Sequence, residues 1–354
     1  MEFVLGTESL RDYLSYEVAA AAQKLVRDVM LAKPGEHVAI TADTSSDGRV
    51  AEATAKAAYA AGTRPVVLWY QTTLGSGVEP PRPVAAAIAD CDVWIEYAVG
   101  YTLYSDAFRR AMDRGVRYIC LSGMDADMMV RTIGRVDYPK LVAMGERLRA
   151  LMAAARRVHV TTPAGMDLEA DNGGRFVRHS GKLADTPGEP IMLGGQISWS
   201  PLEESINGRL VFDACIWPPA EVGLLRSPVA LTVEAGVITR IEGGNEARIY
   251  ERWLASFGDP NMYRVAHYSL GFNPGVTRPT GRIVEDERLF GCFNVGIGTQ
   301  GPQLRAVGWK AAAHTDGVAQ NPTIHLDGEP LEVEGRYVHP EIAAACRDMG
   351  VPGY

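Results

Sequence analysis

Through the first part of the chain, short apolar runs alternate with stretches whose apolar residues recur every three or four positions. The runs are His37–Thr41, Pro65–Tyr70, Cys91–Val99 and Val116–Leu121, and they read as strands. Between them Tyr16–Leu31, Val50–Ala61, Pro83–Ala89 and Ser105–Arg114 read as helices, the first stopped by Pro34-Gly35 and the second closed by Gly62. Tyr138–Ala155 carries the pattern of a long amphipathic helix. Apolar strands joined through helices call for a parallel sheet covered on both faces. The order is Rossmann-like, but no GxGxxG and no Walker loop accompanies it, so it does not make a dinucleotide site.

After Arg156-Arg157 the pattern changes. Gly and Pro become frequent and strand-like stretches dominate: RVHVTT, RLVFDACI, VALTVEAGVITRIEGG, GCFNVGIG and TIHLDGEPLEVEGRYV. Ala235-Gly236 and Asp327-Gly328 read as hairpin turns. One helix, Asn245–Phe257, interrupts the strands. The expectation is an α/β protein of two domains. Residues 1–156 form a Rossmann-like parallel-sheet domain, and residues 157–354 a mixed, mainly antiparallel, β-rich domain.

Composition narrows the function classes. The 354 residues carry 35 Lys+Arg against 43 Asp+Glu, a net charge of -8, so the chain offers no electrostatic footprint for a nucleic acid. No apolar run reaches the roughly 18 residues needed to span a bilayer, so no membrane role is expected. The acidic MEFVLGTESLRDYLSYE does not have the basic-then-apolar form of an export signal. Five widely spaced cysteines argue against a disulfide framework, and a cytoplasmic location is expected.

Candidate chemistry centres on the histidines. His37 and His159 sit in apolar strands and read as structural; His339, before Pro340, reads as surface. His314-Thr315-Asp316 places an imidazole and a carboxylate on one face of an extended strand, with small residues (Ala311, Ala312, Ala313, Gly317) around them. His325-Leu326-Asp327 has the same spacing, but Asp327 precedes Gly328 in a turn that accounts for its carboxylate. His267, in AHYSLGFNPG, would complete a three-ligand face with open positions. Non-haem Fe(II) and catalytic zinc both suit such a face, and three unrelated polar residues would show the same pattern. Glu169 and Asp171 form a second carboxylate pair, read as a solvated strand edge, and Glu203-Glu204 read as surface.

The ordered series AHYSLGFNPG, FGCFNVGIGTQGP and AAHTDGVAQNPTIHLDGEPLEVEG resembles the C-terminal domain of the leucyl-aminopeptidase-like superfamily. That superfamily holds the thermophilic metallo-aminopeptidases and the 2,5-dihydroxypyridine 5,6-dioxygenases. The peptidase branch implies a two-metal site, yet its glutamates fall on Gln196 and His267 here and one of its histidines on Asn294. Only His314 and Asp316 remain, too few anionic ligands for two divalent cations. The dioxygenase branch implies a mononuclear Fe(II) held by two histidines and an aspartate, which map onto His267, His314 and Asp316 without a mismatch.

What the resemblance implies is an Fe(II)-dependent, extradiol-like ring opening. Its substrates would be O2 and a small hydroxylated aromatic or N-heterocycle such as a dihydroxypyridine, and its assembly a homo-oligomer. The family's acid–base residues match poorly: a histidine falls on Tyr104 and a glutamate near Ser180. His179, in a Gly-rich polar stretch, is the candidate acid–base in their place. Tyr104, Ser180, Gln196, Asn294 and Thr299 are the candidate substrate-facing residues, Thr299 through the amides of Gly298-Thr299-Gln300-Gly301. The rivals are a zinc or manganese hydrolase on the same three ligands and a non-catalytic protein with a vestigial triad.

Overall fold

A computed structural model describes residues 12–73, 75 and 77–354. The chain forms two compact units. The first comprises the described residues up to Pro139 together with Ser180–Gly194; the second comprises Lys140–His179 and Gly195–Tyr354. Residue 156, the expected division, lies just past the long helix Tyr138–Ala154. Most of that helix groups with the second unit, because its buried residues pack there: Asn172 donates to the Met152 carbonyl, and Gly145 lies against His179.

The first unit is built on parallel strands β1 (His37–Asp43), β2 (Arg64–Tyr70), β3 (Val93–Glu96) and β4 (Arg117–Cys120). A further strand, Pro190–Met192, which the apolar pattern did not reveal, joins the edge beside β4, giving the order β2-β1-β3-β4-(190–192). The expected strand Cys91–Val99 shortens to β3 because Tyr97 onward turns away to meet Asp43, which accepts from the amides of Val99 and Gly100. Helix starts follow capping chemistry: Asp47 accepts from Arg49 N at 3.0 Å and Ser105 from Phe108 N at 3.1 Å. Glu96 is fully buried at the end of β3, accepting from Thr102 N at 2.8 Å, Thr102 Oγ1 at 2.6 Å and the Tyr118 hydroxyl.

The second unit contains two sheets among the described residues. One has eight strands, in the order 237–243, 229–234, 207–212, 167–171, 157–161, 323–326, 329–333 and 336–337. Both expected hairpins are in it. Ala235 and Gly236 take φ of 47° and 77°, Asp327 and Gly328 of 52° and 93°, the left-handed pair a two-residue turn requires. The other sheet carries the chemistry. Its strands are β5 (Val177–His179), β6 (Gln196–Trp199), β7 (Cys215–Trp217), β8 (Gly223–Leu224), β9 (Val265–Gly271), β10 (Cys292–Gln300) and β11 (Trp309–Gln320), in the order β8-β7-β11-β10-β9-β6-β5. All pairings within it are antiparallel. No helix among the described residues is long and apolar enough to cross a membrane.

Burial raises the Glu96 carboxyl from 4.5 to about 6, against the opposing hydrogen bonds from Thr102 and Tyr118. A raised folded-state value stabilises the protein below about pH 4.5 and loses that contribution as pH climbs through 6. Glu96 should therefore cost roughly 2 kcal/mol of stability between about pH 4.5 and 7. Denaturant unfolding across that range measures it; Glu96→Gln should flatten the slope, and an unchanged slope would assign it to other groups.

Candidate metal centre

His267 stands on β9, and His314 and Asp316 on β11, with β10 between them. Directly opposed residues of an antiparallel pair share a face, and successive residues alternate. The register puts His267 opposite Gly296, Gly296 opposite Asp316, and Gly298 opposite His314. All three side chains therefore leave the same face, and the row between them is bare. They meet above β10: His267 Nε2 lies 3.3 Å from His314 Nε2 and 3.2 Å from Asp316 Oδ1, and His314 Nε2 lies 3.2 Å from Asp316 Oδ2. Among the described residues, this is the one group of three or more His, Cys, Asp or Glu donors close enough to share an ion.

Gly296 is the condition for that meeting. A Cβ there would lie 2.2 Å from His267 Nε2, inside the ring's own volume. His314 is further fixed by the Thr299 carbonyl, which accepts from its Nδ1 at 2.9 Å and leaves Nε2 as the free lone pair. The Thr299 hydroxyl donates to the carbonyls of Ala311 and Ala313, at 3.1 and 3.2 Å, and pins the loop end to β11. Thr299 thus acts on His314 through its backbone.

The electrostatics favour an anionic Asp316 between imidazoles. Burial would push its carboxyl up, but His314 and His267 hold it well below the usual carboxylate range. Burial likewise pushes His314 down, and Asp316 beside it more than compensates, raising it. The donor set fits a cation. Nitrogens and oxygens about 2.1 Å from one ion stand roughly 3.0–3.4 Å from each other, which is the spacing observed. Asp316 Oδ1 is buried and accepts no hydrogen bond, an orphan acceptor that a cation would satisfy.

Gln196 opposes Gly271 and so shares the face of the triad; its Nε2 donates to Ser269 Oγ at 3.3 Å. Asn294 is on the same face but buried, donating to the Glu287 carbonyl at 2.9 Å and accepting from Cys292 Sγ at 3.4 Å. It braces the loop over β10. Tyr104 and Ser180 belong to the first unit. Tyr104 follows β3 at φ 75°, half exposed, its ring edge-on to Phe108 and its carbonyl accepting from Arg109. Ser180 opens the returning segment, its carbonyl accepting from Met192 N at 2.9 Å.

His179 is a correction. It is the last residue of β5, not part of a polar loop, and its side chain is buried. It opposes Ile197, which opposes Leu270, three residues from His267, so it leaves the other face of the sheet from the triad. There it packs on Gly145 and Phe272, with Glu146 Oε2 3.7 Å from its Nδ1. Glu203, read as surface, is buried and paired with Arg175. Asp327, in the rival H-x-D, is committed to the backbone: it accepts from Arg157 N at 2.8 Å and Arg156 N at 3.1 Å, which lowers its pKa.

Sequence reasoning missed Glu287. Burial and the nearby Asp316 push its carboxyl up, opposed by Arg288 at 3.2 Å and the two histidines, so it sits in the field of the cluster. Nothing in VEDERLF distinguishes it from neighbouring acids.

Two imidazoles and one carboxylate on one sheet face form the donor set used by mononuclear non-haem iron oxygenases. The chain belongs to the 2,5-dihydroxypyridine 5,6-dioxygenase family, whose sequence profile matches residues 22–339. It is an enzyme, a ring-cleaving dioxygenase. A curated relative, the 2,5-dihydroxypyridine 5,6-dioxygenase of Pseudomonas putida KT2440, is 28% identical over 254 residues, covering 69% of this chain and 70% of its own. The solved 2,5-dihydroxypyridine dioxygenase from that organism superposes with a TM-score of 0.75 at 20% identity, over 93% of this chain and 99% of the other. Wild-type AmpT from Thermus thermophilus follows with a TM-score of 0.64 at 14% identity, over 92% and 100%. These last two likenesses are of fold.

Gly296→Ala should lower metal occupancy at least about tenfold, because His267 must leave the cluster; metal analysis after desalting measures it, and unchanged occupancy would refute the bare-row argument. Since protons compete with metal for the two imidazoles and the carboxylate, bound metal should be lost as pH falls. A pH series of bound-metal stoichiometry checks the direction.

Proposed function

We propose that this enzyme is a mononuclear Fe(II) dioxygenase that opens the ring of a small hydroxylated N-heterocycle, a dihydroxypyridine or a close relative. His267, His314 and Asp316 would hold the iron in the β-rich unit. The observation that carries this reading is the convergence of two Nε2 atoms and one carboxylate over Gly296, in a chain of the ring-cleaving family. Iron held there would supply activation of O2 and a point of attachment for the substrate's hydroxyl.

The chain's own groups set the conditions. Two neutral imidazoles and one carboxylate leave a divalent ion with net charge near +1, matched by a ring that has lost one hydroxyl proton. Thr299 keeps His314 in the tautomer that presents Nε2. Gln196 and Ser269 put neutral polar groups, rather than carboxylates, on the same face, which suits one cation and not two. Glu287, paired with Arg288, adds negative field without joining the donor set. All five cysteines are free thiols, in keeping with a reducing, cytoplasmic setting.

His314→Ala should lose iron and ring cleavage together while the fold, followed by circular dichroism, is kept. His325→Ala should keep both. Anaerobic iron reconstitution, metal analysis and an O2-uptake assay with 2,5-dihydroxypyridine make the test. Turnover without O2 uptake would instead identify a hydrolase on the same ligands, and iron retained by His314→Ala would remove the ligand assignment.

A further inference from the structure

The row that contains the cluster does not end at Asp316. On the outer side of β11, Trp217 of β7 is directly opposed to Asp316. The sequence across the sheet is therefore Trp217, Asp316, Gly296, His267, all on one face. Cβ atoms of directly opposed residues stand about 4.5–5.5 Å apart, so the indole starts one side-chain width from the carboxylate. Trp217 is also 44% exposed.

An exposed tryptophan needs an account, and four of the other five show why. Trp94 packs at tilted angles on Phe108 and Tyr118, Trp199 meets Tyr268 edge-on, Trp253 lies between Tyr250 and Phe257, and Trp309 sits under the Arg264 guanidinium. Trp69 is exposed too, but on β2 of the first unit. Among the described residues, no ring or cation covers the Trp217 indole. Its neighbour on that face is Leu224, opposed to Cys215 two residues before Trp217 and itself 46% exposed. Together they make an exposed apolar flank to the cluster; the other apolar residues of that face, Cys215, Cys292 and Val318, are buried in core, and Gln196, Ser269 and Asn294 are polar. A flank of that kind does nothing for a cation and much for a flat ring attached to one.

We propose that Trp217, flanked by Leu224, is the platform against which the substrate ring lies when its hydroxyl is held at the His267–His314–Asp316 cluster. Trp217 is thus a substrate-positioning residue that selects planar aromatic ligands over other chelators. This rests on the ring-cleaving, metal-bound reading given above.

The test compares wild-type, Trp217→Ala and Trp217→Phe proteins, each reconstituted anaerobically with Fe(II). Each is titrated calorimetrically with 2,5-dihydroxypyridine and with oxalate, a chelator that has no ring. Trp217→Ala should weaken dihydroxypyridine about five- to tenfold, with oxalate affinity and iron stoichiometry within about twofold of wild type. Trp217→Phe should recover most of the loss. In turnover the alanine variant should raise KM more than it lowers kcat. Equal weakening of both ligands, no weakening, failure of phenylalanine to rescue, or a changed oligomeric state by light scattering in place of a changed affinity would each overturn the platform. Oxalate binding to wild type without dihydroxypyridine binding would overturn the substrate reading and the platform with it. Wild type that holds no iron would overturn the metal reading itself.

Discussion

The site depends on an absence. His267 and Asp316 belong to strands that are not neighbours, and side chains on alternate strands of a sheet meet only if the strand between them presents nothing at that row. Gly296 presents nothing, and the 2.2 Å that would separate its missing Cβ from His267 Nε2 shows how completely that space is used. Once the row is bare, pleating does the rest: His314 and Asp316, two residues apart on β11, face the same way as His267, and three donors converge with no loop required to bring them. A cluster set on three paired strands is stiff, which is what a metal centre needs for a defined coordination geometry.

The same alternation divides the sheet into two chemistries. The face with the cluster carries Gln196, Ser269 and Asn294 beside the buried Cys215, Cys292 and Val318. The other carries His179, Ile197, Trp199, Leu270 and Tyr268, packed as core. A one-residue slip would exchange the two sets, so the burial of Trp199 against Tyr268 and the presentation of His267 are consequences of one register. Stability of the back face and orientation of the front face are coupled through it.

Much of this was legible in the amino-acid sequence because it is periodic. The helices and apolar strands of the first half, the two hairpins and the H-x-D face all follow from spacing, whereas His267, His314 and Asp316 were singled out as one set by the resemblance to the dioxygenases. Other features depend on long-range packing. Strand 190–192 is three residues long and pairs with β4 from some seventy residues away. His179 reads as a polar loop residue until its opposition to Ile197 turns it into the core. Glu203 reads as surface until Arg175 is placed beside it. The two H-x-D pairs differ in what their aspartates touch, imidazoles for Asp316 and the amides of Arg156 and Arg157 for Asp327. Glu287 and Trp217 owe their interest to proximity alone, since neither has a distinctive neighbourhood in the chain.

The central claim is that one cation is shared by residues from β9 and β11 across a glycine. Its most direct test is anomalous diffraction from crystals of the protein reconstituted anaerobically with Fe(II), collected on both sides of the iron edge. The account predicts a single iron peak per chain, about 2.0–2.2 Å from His267 Nε2, His314 Nε2 and an Asp316 oxygen. A peak lying elsewhere, or a second metal beside the first held by other carboxylates, would contradict it.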